Sequence, residues 1–109
     1  MQVQSKAVIE VARKCRAILE NHYGSRFRGL VLFGSIAREQ ACADSDIDLL
    51  VLLNGPVDYA RELRRIVELL YTIQLNTDRL ISAIPAPADE FETGSVQLYR
   101  NAKREGIAV

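Results

Sequence analysis

The sequence predicts an α/β domain, a small three-stranded sheet flanked by helices in the order α-β-α-β-α-β-α. Three observations carry this. Two stretches repeat apolar residues at three-four spacing, short apolar runs lie between and after them, and glycine or proline signals mark the joins.

Each element has its own justification. Ser5 can cap a first helix whose Val8, Val11, Ala12, Cys15, Ile18 and Leu19 share one face, and Gly24 can stop it. "GLVLF", from Gly29, has the unbroken apolarity of a strand covered on both sides, and Gly34-Ser35 turns it into a short helix, "IAREQA". After the loop "CADS", "DIDLLVLL" reads as a second covered strand, closed by Asn54-Gly55-Pro56. Asp58 then caps one long helix, "YARELRRIVELLYTIQL", with Leu63, Ile66, Val67, Leu70 and Ile73 inward and Arg61, Arg64 and Arg65 toward water. "RLISAI" is the third strand. Pro85 and Pro87 break it into a loop, "APADEFETG", and a polar helix from about Ser95 to Glu105 leads to "GIAV", with Leu98 and Tyr99 anchoring that helix to the core.

Composition narrows the function. A chain of 109 residues, 49% hydrophobic and 26% charged, fits a single domain over residues 1–109 with one core. Acidic and basic residues balance at 14 each, so no overall field draws the protein to nucleic acid or an anionic membrane, and any such contact must be local. No apolar run approaches a membrane span, and the N-terminal segment becomes charged too early for a secretory leader, which together suggest the cytoplasm. The lone histidine, His22, argues against a Ser-His-Asp triad or a multi-histidine zinc site, and Cys15 and Cys42 suggest neither a metal knuckle nor a disulfide framework.

The chemistry concentrates in "GLVLFGSIAREQACADSDIDLLVLL". Asp46 and Asp48 stand two apart at the start of a strand, so their side chains project to one face, and two neighbouring carboxylates repel unless a cation neutralises them. Mg²⁺, a hard ion that takes oxygen ligands and substrate phosphates, suits the pair; a solvated strand end or loop cap is the plain alternative. Gly34-Ser35 favours the first. A strand-to-helix turn without a Cβ lets backbone N–H groups approach a phosphate, and Ser35 adds a hydroxyl donor.

These residues resemble the signature of the DNA polymerase β-like nucleotidyltransferase superfamily: Gly34-Ser35, ten intervening residues, then Asp46-Ile47-Asp48. "VLFGSIAR" and "SDIDLLVLL" are similar to its small members, the minimal nucleotidyltransferases, over Leu30 to Leu53, about a fifth of the chain. The resemblance implies the nucleotidyltransferase fold with a mixed sheet. It also implies that Gly34 and Ser35 hold the triphosphate, that Asp46 and Asp48 bind Mg²⁺, usually two ions, and that a nucleoside monophosphate passes from ATP or another NTP to a hydroxyl. Arg38 stands where the family often has arginine, as a phosphate contact or a plain helix-surface residue.

Two departures stand out. Glu39 replaces the usual glycine, and "DRLISAI" has no acid in its middle where the family's third carboxylate would lie, leaving Asp78 as the nearby candidate catalytic acid or a solvated loop residue. The cations of the closing helix, Arg100, Lys103 and Arg104, face triphosphate, an acidic partner or simply water. With a single domain expected over residues 1–109, no base-binding or acceptor domain is expected within them, and a separate protein or second subunit is expected to complete the acceptor site. By resemblance that partner is a helical HEPN-domain toxin that the transferase silences by adding AMP. Two other readings remain: a nucleotide-binding module that neutralises its partner by complex formation alone, and an enzyme modifying a small hydroxylated molecule such as an aminoglycoside.

Overall fold

The computed structural model describes residues 3–37 and 45–109. Arg38, Glu39, Cys42 and the end of the short helix "IAREQA" lie outside the described residues. At the centre of the sheet, Phe27–Phe33 (β1) runs antiparallel to Ile47–Leu53 (β2), with a bulge between Phe27 and Gly29. Ile81–Pro87 (β3) lies parallel to β2, and Ile107–Ala108 (β4) adds antiparallel to the far side of β1, giving the order β3-β2-β1-β4. The sheet is mixed, as expected, but four strands replace three.

Alternation sorts the strand residues onto two apolar faces. Leu30, Leu32, Leu49, Val51 and Leu53 pack against the helices Val3–Tyr23 (α1), Tyr59–Leu69 (α3) and Tyr71–Leu75 (α4), in a cluster that includes Val8, Ala12, Cys15, Leu19, Ile66 and Leu70. Val31, Leu50, Leu52 and Ala86 form the other face, under Ala88–Thr93 (α5) and Gln97–Glu105 (α6) through Phe91 and Ala102. Each fully buried leucine or isoleucine contributes about 1.5–3 kcal/mol relative to exposure. β2 is therefore covered on both sides, which explains its unbroken apolar run.

The helices depart from expectation for local reasons. Since α1 begins at Val3, Ser5 lies within the helix instead of capping it; the helix does end at Tyr23, before Gly24. Asp58 is the expected cap, its carboxylate accepting from the Arg61 N–H at 3.3 Å. The long helix divides at Leu70 (φ −93°, ψ 5°), although hydrogen bonds from Leu70 N–H to Ile66 O and from Gln74 N–H to Leu70 O carry the chain through the bend. Val67, expected inside, is 59% exposed: it lies about 100° around the helix from Ile66, whose side chain and that of Leu70 take the inward positions. Leu98 is also exposed, while Tyr99 packs on the second cluster. The segment "APADEFETG" is not a loop; it supplies the end of β3 and α5.

Both prolines belong to β3 because of where its hydrogen-bonding groups point. The Ile47 N–H donates to Leu80 O at 2.8 Å, whereas the Ile81 N–H turns away from β2 and donates to Gln74 Oε1 at 2.7 Å. By alternation Pro85 and Pro87 share the outward parity of Ile81, so neither removes a donor from the ladder with β2. On the opposite edge, Gly106 brings the chain close enough to form β4: a Cβ there would strike Ala102 O and Val31 Cγ1. Val109 is then held by its N–H to Leu30 O at 2.9 Å and by Arg16 Nη1, which donates to Val109 O at 2.6 Å.

Candidate active site

The β1–β2 register puts Phe33 opposite Asp48, so the residue after Phe33, Gly34, meets the Asp48 carboxylate. Gly34 opens the short helix Gly34–Ala37 (α2) at φ +80°, a left-handed conformation that costs other residues free energy. A Cβ built there would overlap Asp48 Oδ2 and lie 3.1 Å from its Cγ. Glycine is therefore required twice, by backbone and by space. Ile36 is buried and anchors α2, while Ser35 beside it is half-buried.

Asp46 precedes β2 and is exposed. The backbone on both sides of it is tied to the segment leading into β3: Ser45 O accepts from Arg79 Nη1 at 2.8 Å, and the Ile47 N–H donates to Leu80 O at 2.8 Å. That segment is in turn fixed by Gln74, whose Nε2 donates to Arg79 O at 2.9 Å while its Oε1 accepts from Ile81. Gln74 and Arg79 carry no sequence signal for this role, since neither belongs to a motif and their contacts depend on the parallel pairing of β2 with β3.

Asp48 faces Ser82 across that pairing, in the row Phe33–Asp48–Ser82, where all three residues are half-buried. The next row inward, Val31–Leu50–Ile84, contains the buried Val31 and Leu50. Asp78 is exposed and stands three residues before β3, so the strand position beside Asp48 belongs to Ser82. Among the described residues no group of three or more His, Cys, Asp or Glu side chains is placed to hold a metal. The oxygen donors that are present nevertheless suit Mg²⁺, which is commonly held by one or two carboxylates together with substrate phosphates. Of the closing cations, Arg100 is committed to Gly94 O and Gln97 Oε1, both at 2.8 Å, and Lys103 to Glu92 O at 2.7 Å.

A mixed sheet with a glycine turn at the end of one central strand and aspartates at the start of its neighbour defines a nucleotidyltransferase-like domain. The comparisons with known proteins agree: the model of the family described as Polymerase beta, Nucleotidyltransferase matches residues 13–101, and the chain belongs to that family. A Sulfolobus solfataricus protein described as a candidate nucleotidyltransferase has a crystal structure similar to this one, with a TM-score of 0.55 at 18% identity over 94% of this chain and 82% of that chain. That likeness speaks for the fold. No curated protein matches the chain. Among the described residues, no helix is long and apolar enough to cross a membrane.

Proposed function

We propose that this domain is a Mg²⁺-dependent nucleotidyltransferase of the minimal type, moving AMP from ATP to a hydroxyl on a separate protein. By family resemblance the partner is a HEPN-domain toxin. The single observation that carries the reading is the contact of the Asp48 carboxylate with the Gly34 turn, which brings the two halves of the motif together.

Each residue's part follows from its position. Asp46 and Asp48 would hold the ion through carboxylate oxygens, and the ion when bound would offset triphosphate charge and polarise the α-phosphorus. Gly34 leaves the backbone bare for a phosphate to approach, and Ser35 offers a hydroxyl donor. Arg79 fixes the backbone that bears Asp46, so the site acts chiefly through position and fixed charge. Incubating the protein with labelled ATP, Mg²⁺ and a candidate partner should give metal-dependent transfer, abolished in Asp46→Asn and Asp48→Asn. Transfer undiminished in those variants would defeat the reading.

A second reading, neutralisation of the partner by binding alone, is favoured by Ser82 occupying the strand position beside Asp48 where an acid would assist transfer. Under it, both asparagine variants still silence the partner.

A further inference from the structure

A groove of about 490 Å³ lies between the end of α1, the turn that follows it and α3, lined by His22, Tyr23, Arg26, Glu62 and the arginines of α3. It borders Asn54 and Pro56, past the end of β2, whereas Asp46 and Asp48 stand at the start of that strand. Its floor is a fixed network. Tyr23 Oη donates to Glu62 Oε1 at 2.8 Å, and Arg26 donates through Nε to Asn54 O at 3.1 Å, through Nη2 to Pro56 O at 3.0 Å and through Nη1 to Glu62 Oε2 at 3.4 Å. The Glu62 side chain is only 13% exposed, so its charge is spent on this floor.

The charges at the rim do not balance. Arg26 offsets Glu62, and Arg65 offsets Glu68 at 3.8 Å. That leaves Arg61 and Arg64, both exposed, with no carboxylate partner among the described residues, in a protein whose formal net charge is zero. Two uncompensated guanidiniums on successive turns of one helix, above a floor whose own charges are satisfied, match a ligand carrying two negative charges. The guanidinium fork suits phosphate oxygens in particular. The polar lining and the volume, within the range of small-ligand sites, fit a compact phosphorylated molecule better than an apolar one.

We propose that this groove is a second anion site, specific for a phosphate dianion or monophosphate ester, held by Arg61 and Arg64 and independent of the Asp46–Asp48 end. His22 stands at its edge.

The test uses the full chain with inorganic phosphate, followed by NMR of the arginine Nε–Hε signals and by calorimetry, against chloride at matched ionic strength. Phosphate should shift Arg61 and Arg64 saturably. The double variant R61Q/R64Q, altered only at exposed side chains, should keep the native melting temperature and bind about tenfold more weakly or worse. Glu68→Gln, which releases Arg65, should bind more tightly, an outcome a purely structural role for the arginines would not give. Asp46→Asn should leave phosphate binding here unchanged, which separates this site from any phosphate held at the other end. Equal shifts with chloride, or unaltered phosphate affinity in R61Q/R64Q, would overturn the proposal.

Discussion

Asp48 and Ser82 are direct partners in the parallel ladder of β2 and β3, and both are half-buried on the same face of the sheet. A carboxylate at Ser82 would therefore stand beside Asp48 without any change of backbone. Ser82→Asp should lower stability without metal by up to about 1 kcal/mol through like-charge repulsion. Mg²⁺ should restore it, so the variant's melting temperature should rise more steeply with Mg²⁺ than the wild type's. Under the proposed activity, AMP transfer faster in this variant than in the parent would mark position 82 as limiting, and an absence of any metal response would argue against a cation at Asp48.

Gly34→Ala sets a Cβ against Asp48 Oδ2 at a positive-φ position. The fold should lose about 1–3 kcal/mol in urea denaturation, from backbone strain together with displacement of the carboxylate. Added Mg²⁺ and ATP should stabilise the variant less than they stabilise the parent.

Arg79 acts on the site through Ser45. Arg79→Gln removes a charged, partly buried hydrogen bond and should cost about 1–2 kcal/mol. It should also raise the Mg²⁺ concentration needed for half-maximal thermal stabilisation by ATP, and Arg79→Lys should recover part of that shift. If the Gln variant loses stability while its Mg²⁺ dependence stays put, Arg79 is structural only.

Cys15 is fully enclosed by the core, and burial pushes its thiol from 9.0 to about 11. The folded state thus keeps a proton that the unfolded chain gives up. Its contribution is intact below pH 9.0 and is lost as pH climbs from 9.0 to about 11. Stability measured by urea denaturation should fall across that window, and the fall should be shallower in Cys15→Ala, whatever that variant's absolute stability. Burial, reinforced by the hydrogen bond to Glu62, also raises the Tyr23 hydroxyl, so a further decline begins near pH 10 in both proteins. Thiol reagents should label Cys15 only under unfolding conditions.

Much of this architecture was written locally. The apolar face of α1, the covered run of β2, the Asp58 cap and the meeting of the Gly34 turn with Asp48 follow from spacing that short-range physics enforces. What stayed hidden depends on partners distant in sequence. Pro85 and Pro87 look like breakers until β3 is known to lie at an edge with their nitrogens outward, and a two-residue β4 has too little pattern to be seen. Gln74 and Arg79 acquire meaning only when parallel pairing brings Ser45 to them. Val67 followed the apolar spacing yet faces water, because Ile66 and Leu70 already fill the inward positions.

The outward prolines of β3 also shape how the molecule meets its neighbours. With the Ile81 amide taken by Gln74 and no amide hydrogen at Pro85 or Pro87, Ala83 is left as the lone outward donor of that strand. A foreign strand finds almost nothing to zip onto, so fibrillar stacking is blocked at this margin, and association there must rely on side-chain surfaces and not on a shared ribbon.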